Sequence, residues 1–355
     1  MTGRTYLRPT GFVDAPFGHD GKVARLAGGL QFFASVELIR DDGTELVPVE
    51  GIEARLDEAQ KRVWERLTSP RAPLQLGERV VRLDQPQVVG IVNVTPDSFS
   101  DGGTHAETEA AVTAGHAMAA AGAAIVDVGG ESTRPGAKPV WEGDEAVRVL
   151  PVVKALAAAG TAVSIDTRKA LVMEQALAAG AGLVNDVSAL TWDPRALDVV
   201  AKAGCPVVLM HHKGPPETMQ DDPRYDRPVL LEIYDWLEAR IATCEAAGVA
   251  RQRIIVDPGF GFGKNVQHNL QVMNGLALLH GLGCPVMLGA SRKRTIGALA
   301  GEAPADRRLP GSLAFALQAA GQGVQLLRVH DVPETLQALR VWRGSRDAAL
   351  TPPQF

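Results

Sequence analysis

Short apolar runs in this chain stop, again and again, at residues able to do chemistry. The endings are Asn93, Asp127, Asp166, Asn185 with Asp186, His211, Asp257, Ser291, and Arg328 with His330. Asp166, Asn185, Asp186 and Asp257 bring carboxylates and an amide, and ionised carboxylates only accept hydrogen bonds. Gathered in one cavity, they suit a ligand rich in N–H donors, such as a heterocycle with a guanidine-like edge. Capping of the following helix is the plain alternative for any one of them. Lys293, Arg328 and His330 are cationic or can become so, and an anionic group is expected on the side of the cavity opposite the acidic residues. Asn93 lies close to Thr95, Asp97 and Ser98, oxygen-rich company that suits a hard cation such as magnesium, which takes only one or two protein oxygens and fills its shell with water and phosphate. The alternation Gly259-Phe-Gly-Phe-Gly263 lacks the spacing of a phosphate loop and reads instead as close backbone approach to a flat ring beside Phe262.

The elements that position these residues follow from the same runs. Four to six apolar residues bounded by turn residues read as a strand buried on both faces. Eight such strands alternate with Ala- and Leu-rich segments long enough for crossover helices: Glu107 to Ala121, Glu142 to Ala159, Leu171 to Ala179, Leu230 to Ala247, Thr295 to Ala300, Pro310 to Ala320 and Val332 to Val341. The expected fold is α/β, a (β/α)8 TIM barrel with a small N-terminal α+β extension. In such a barrel function sits at the carboxyl ends of the strands, and the loops after strands seven and eight commonly hold phosphate.

At 355 residues the chain exceeds a barrel of about 250, and residues 1–86 are the surplus. There Gln31 to Arg40 reads as a strand, Asp41 to Gly43 as a turn, Thr44 to Val49 as a hairpin partner, and Ile52 to Leu67 as a helix. Nothing in the extension carries chemistry, and its expected part is to pack on the barrel or to help it dimerise. The divisions are residues 1–86, a barrel at 87–346, and a frayed tail at 347–355.

Composition narrows the class. Hydrophobic content of 46% with 22% charged residues fits a globular chain with a sizeable core. A net charge of −5 argues against a general nucleic-acid binder. Cys205, Cys244 and Cys284 show neither disulfide-framework nor zinc spacing. No secretory leader and no apolar stretch of membrane-spanning length is evident, so a cytoplasmic protein without a membrane partner is expected.

The barrel segment resembles dihydropteroate synthase, a pterin-binding TIM-barrel family. The carriers are Gly90 to Gly103 (GIVNVTPDSFSDGG), Asp127 to Gly136 (DVGGESTRPG), Asp166-Thr167, Asn185-Asp186, Leu209-Met210-His211, Asp257 to Lys264 (DPGFGFGK), Ser291-Arg292-Lys293 and Arg328 to Asp331 (RVHD). They cover the chain from about 87 to 345 in family order, each at a strand end. The resemblance implies condensation of (7,8-dihydropterin-6-yl)methyl diphosphate with 4-aminobenzoate to 7,8-dihydropteroate and diphosphate, in folate biosynthesis.

By motif position, the resemblance implies that Asp166, Asn185, Asp257 and Lys293 bind the pterin, with Met210 and Phe262 around its ring. Thr133, Arg328 and His330 would hold diphosphate, with Arg134 a further substrate contact. Asn93 would meet Mg2+. Ser291 and the segments around Thr95 to Phe99 and Thr133 to Pro135 would build the aminobenzoate site. Lys293, Asp166, Asp257, Arg328 and His330 form the catalytic set, and a homodimer is the family expectation. One departure stands at Met210-His-His-Lys-Gly214, where Lys213 adds a cation near the rim. Two rivals are a pterin-dependent corrinoid methyltransferase domain, which has no diphosphate for Lys293, Arg328 and His330 to hold, and a non-catalytic pterin-binding paralogue, which diphosphate release would separate.

Overall fold

The computed structural model describes residues 4–95, 104–132, 139–214 and 218–350. Thr133, Arg134 and most of the Thr95 to Phe99 stretch lie outside them. The first part of the chain forms an antiparallel sheet from β1 (Tyr6–Val13), β2 (Ala24–Arg25), β3 (Phe32–Arg40) and β4 (Gly43–Pro48), with β3 in the middle. The helix α1 (Glu58–Thr68) follows, opened by Asp57, whose carboxylate accepts from Gln60 N while the Gln60 side chain returns to Asp57 N. This reciprocal cap satisfies two of the helix's orphan donors. Alternate β residues Leu7, Val36, Leu38 and Val47 turn to one face and, with Phe33, form a core with Trp64 and Leu67 of α1 and with Ala277. The hairpin Gln31 to Val49 matches the sequence expectation, whereas the helix expected over Ile52 to Leu67 is split into a 3-10 turn at Ile52–Arg55 and α1, because Asp57 caps a new start. The strand β1 was not legible, because Pro9 and Gly11 interrupt its pattern.

A short hairpin, β5 (Leu74–Leu76) and β6 (Arg79–Val81), leads into the barrel. Its strands are β7 (Gln87–Asn93), β8 (Ile125–Gly129), β9 (Val163–Asp166), β10 (Leu183–Asp186), β11 (Val207–Met210), β12 (Ile254–Asp257), β13 (Met287–Leu288) and β14 (Leu326–Val329). All pair in parallel, in the order β12-β11-β10-β9-β8-β7-β14-β13, and a single bridge from Val256 to Val286 joins the two ends. Around them run α2 (Thr104–Ala121), α3 (Glu142–Ala158), α4 (Ala170–Ala178), α5 (Ala196–Ala203), α6 (Val229–Ala246), α7 (Val266–Asn274), α8 (Arg294–Leu299), α9 (Leu309–Gly321) and α10 (Val332–Ala348). The helices α5 and α7 add to the expected set, and α10 runs seven residues beyond Val341.

Side chains alternate along a strand, so the barrel interior is built in layers. The lowest inward-facing positions are Val89, Ile125, Ala162, Leu183, Val208, Ile255, Met287 and Leu326, which pack against Leu74, Leu76, Val81 and Leu83 of the hairpin and its exit. The hairpin is thus a plug in the barrel's floor, and by packing it belongs to the barrel. Two residues further along each strand come Ile91, Asp127, Ser164, Asn185, Met210, Asp257, Gly289 and Arg328. The next step gives Asn93, Gly129, Asp166, Ser291 and His330. Polarity rises layer by layer toward the open end.

Candidate active site

This layering brings together most of the residues singled out by sequence. Arg328 donates from Nε to Asp127 Oδ2 and from Nη2 to Asp166 Oδ2, both at 2.6 Å. Asn185 donates to the same Asp127 oxygen at 3.0 Å. Register makes these contacts: Asn185 pairs with Asp166 across β10 and β9, and Gly129 faces Asp166 from β8. A Cβ on Gly129 would stand 3.3 Å from that of Asp166, so glycine leaves the carboxylate its room. The expectation that cations and acids would occupy opposite sides does not hold for Arg328. The strands β14 and β8 both flank β7, and their inward side chains meet over Ile91.

Burial pushes the Asp166 carboxyl up, to about 7, against the pull of Arg328 and with repulsion from Asp127. Arg328 is held more firmly protonated, because Asp127 and Asp166 outweigh its own burial. One guanidinium therefore serves two carboxylates. Asp127 is 1% exposed, and its Oδ1, like Ser164 Oγ beside it, has no hydrogen-bond partner among the described residues. A buried acceptor without a donor is uncommon in a folded chain, and this one stands on an inward-facing position of β8.

Asp186 turns the other way. It follows inward-facing Asn185, so alternation sends it out of the barrel, where Oδ1 accepts from Ser188 N and Oγ at 2.7 Å and Oδ2 from Leu190 N at 2.9 Å. These bonds hold a turn in which Ala189 and Leu190 have φ of 53° and 61°. Burial raises its pKa to about 6, with the same bonds opposing. Asp186 is thus a turn-former, and the expected acidic quartet loses one member to this local role.

Asp257 closes the far side. Its Oδ1 accepts from Gly259 N at 2.7 Å, and burial pushes its pKa up against that bond and the charges of Lys293 and Arg328. The loop after it keeps close order: Lys293 Nζ donates to Phe260 O at 2.9 Å and stands 4.0 Å over the Phe262 ring. Ser291 Oγ accepts from His330 N at 3.3 Å and lies 3.1 Å from His330 Nδ1, tying the last two strand ends together. Met210 is buried at the end of β11. His211, one residue on, faces away from the interior, between Tyr225 and Trp236. Lys213 turns toward Glu232 and the Tyr225 ring, which directs that departure from the family pattern to α6.

Two contributors were not singled out by sequence. Asp127 appeared there only as a strand end, although its inward parity was readable from Ile125. Glu131 accepts from Arg168 Nε and Lys169 Nζ, both at 3.0 Å, and from Val140 N at 2.8 Å. These bonds outweigh burial and keep its pKa low. Asn93, half-buried at the end of β7, offers one neutral oxygen. Among the described residues no three His, Cys, Asp or Glu side chains gather around a metal position. A magnesium ion at Asn93 would therefore draw most of its shell from ligand and water, a donor set that fits this ion. Surface clefts of about 270 Å³ beneath the barrel and about 450 Å³ beside Pro70 and Pro285 include none of these strand-end side chains.

A family model described as pterin binding enzyme matches residues 89–330, the span of the barrel and its strand-end acceptors. Dihydropteroate synthase of Escherichia coli K12 is 48% identical over 267 residues, which cover 75% of this chain and 94% of that one. The Neisseria meningitidis serogroup B enzyme is 47% identical over 276 residues, covering 76% and 96%. Among solved structures, Xanthomonas albilineans dihydropteroate synthase with 4-aminobenzoic acid matches at a TM-score of 0.74 and 48% identity, covering 80% of this chain and all of that one. The same enzyme with 7,8-dihydropteroate matches at 0.71 and 46%, covering 79% and 100%. The chain belongs to the dihydropteroate synthases, transferases of folate biosynthesis. No helix among the described residues is long and apolar enough to cross a membrane.

Proposed function

We propose that this chain joins (7,8-dihydropterin-6-yl)methyl diphosphate to 4-aminobenzoate, releasing 7,8-dihydropteroate and diphosphate, in the cytoplasm, as a homodimer and with magnesium. The observation that carries the reading is the open acceptor Asp127 Oδ1, in one interior layer with Asn185 and Asp257. A pterin presents the N–H donors that such acceptors lack. The solved relatives with aminobenzoate and dihydropteroate support the same ligand pair.

The chemistry then follows from charge. The methylene C–O bond breaks with its electron pair going to diphosphate, leaving a cation delocalised over the pterin. Asp166 and Asp257 stabilise that cation, and Met210, Phe262 and Lys293 hold the ring. The aminobenzoate nitrogen forms the new C–N bond and gives its extra proton to solvent, so no strong general base is needed. Ser291 lines the aminobenzoate side, while by family position His330, Thr133 and Arg134 hold the diphosphate, joined by Arg328 only as far as its bonds to Asp127 and Asp166 leave it. Asn93 would hold a magnesium ion, which would supply charge neutralisation at the leaving group.

Mixing both substrates with magnesium tests the reading. Diphosphate release that needs aminobenzoate, with 7,8-dihydropteroate found by mass, is expected. Pterin binding without release would make the chain a non-catalytic binder. Chelation should slow the reaction, and sedimentation should give twice the chain's mass.

A further inference from the structure

Lys264 is a buried lysine that forms no ion pair with a carboxylate among the described residues. It is 2% exposed; its Nζ donates to Gly259 O and Phe262 O, both at 3.0 Å, and lies 3.0 Å from His211 Nδ1. In the tautomer that leaves His211 Nδ1 an acceptor, the three partners match the three hydrogens of an ammonium, against burial that pulls the Lys264 pKa down to about 7. The amine sits among two carbonyl oxygens and an imidazole nitrogen, tethered to the loop it organises.

That loop forms one wall of the cavity, and it is held at nearly every peptide. Gly259 N donates to Asp257 Oδ1, Phe262 N to Gly259 O at 3.0 Å, and Gly261 N to Asn269 Oδ1 at 2.8 Å. Phe260 O accepts from Lys293, Gly261 O from Gln220, and Gly263 O from Tyr225 at 2.9 Å. Gly259, Gly261 and Gly263 all have positive φ, of 67°, 82° and 61°. A path through three left-handed glycines is conformationally loose in isolation, so its course must be set by outside contacts. Beside the arch's own Phe262 N to Gly259 O bond, Lys264 binds carbonyls at both ends of the arch, at Gly259 and Phe262, and ties them to the strand end at His211. Between those two residues lie the carbonyl that takes Lys293 and, at the arch's end, the ring beneath it.

We propose that Lys264 is a positioning residue for the pterin: its ammonium holds the 259–262 arch so that Asp257, Phe262 and Lys293 address the same ring. This rests on the pterin reading of the site, and it adds a residue that touches no substrate. His211 shares the task, as the third acceptor.

The test compares the full-length wild type with Lys264→Met and Lys264→Ala, using the pterin diphosphate substrate as probe. Folded Lys264→Met should bind the pterin at least tenfold more weakly, with the loss in KM exceeding that in kcat. Methylammonium should restore part of the affinity in Lys264→Ala and none in the wild type, whereas methanol at equal concentration should restore nothing. Folded variants that bind within twofold of wild type overturn the proposal, as does equal rescue by methanol, which would reveal simple filling of space. Should neither variant fold, wild-type protein labelled with 15N at lysine Nζ decides: the Lys264 signal should be slow to exchange and should shift on pterin binding, and an unmoved signal overturns the proposal. A wild type that fails to bind pterin at all would instead remove the functional reading.

Discussion

A Cβ on Gly259 would stand 1.7 Å from the carbonyl oxygen of His211. No rotamer relieves such a clash, because both partners are backbone. Gly259 also has φ of 67°, a region that costs an L-residue roughly 1–2 kcal/mol. Gly259→Ala should therefore either displace the loop or destabilise the barrel by more than that sum. Urea denaturation together with pterin titration checks this. A variant with wild-type midpoint and affinity would mean that the approach is looser than described.

Lys293→Ala should leave the fold in place, since the side chain is only half-buried, while removing the donor to Phe260 O and the cation over Phe262. A hydrogen bond to a charged group contributes about 1.5–3 kcal/mol, roughly ten- to a hundredfold in pterin affinity. Circular dichroism and steady-state kinetics on the same preparation separate the two effects. Unchanged turnover and affinity would place Lys293 outside the site.

Arg328→Gln leaves Asp127 and Asp166 near one another without the guanidinium that both now share. Removing one partner of a buried pair costs about 3–5 kcal/mol. Adding Asp166→Asn should recover part of that loss in stability, though not the activity. Additive losses in the double variant would show that the three groups do not act as a unit.

His280 ties acid sensitivity to a place far from the site. It is fully buried, with Nε2 3.0 Å from Gln322 O, and burial together with Arg71 pulls its pKa down to about 3. The unfolded chain takes up this proton near pH 6.5 and the folded chain does not, so the unfolded state binds more protons between those values. Stability from His280 is full above about pH 6.5 and falls as pH drops toward 3, by up to about 1.4 kcal/mol per pH unit. Replacing it with Gln should flatten that limb of the stability profile. An unaltered slope would assign acid unfolding elsewhere, with His211, also held neutral by burial and Lys264, the next group to replace.

The strands were legible because each is an apolar run ended by a polar residue. What the runs could not show directly is which way a polar ending faces, and Asn185 and Asp186 went opposite ways for that reason. Lys264 was hidden by its own motif, where it reads as a loop residue and only three-dimensional closure brings Gly259, Phe262 and His211 around it. The aliphatic hairpin at Leu74 to Val81 is too short to announce itself, and a boundary at residue 86 passes over it. Its packing makes a test: removal of residues 1–69 should leave a barrel that binds pterin diphosphate, whereas removal of 1–86 takes Leu74, Leu76, Val81 and Leu83 from the floor, at roughly 1.5–3 kcal/mol for each fully buried side chain. Binding by a folded chain that starts at residue 87 would show the plug to be dispensable.

The barrel has a seam. Between β12 and β13 the ladder shrinks to the Val256–Val286 bridge, and β13 itself has two residues. Asp257 stands on one bank of that gap and Ser291 and Lys293 on the other, and the bond from Lys293 to Phe260 O crosses it. A ligand gripped by Asp257 and Lys293 together would act as a stitch across the weakest closure of the cylinder. Occupancy of the site and integrity of the wall are then the same event, and an empty barrel is one fastened by side chains where backbone runs out.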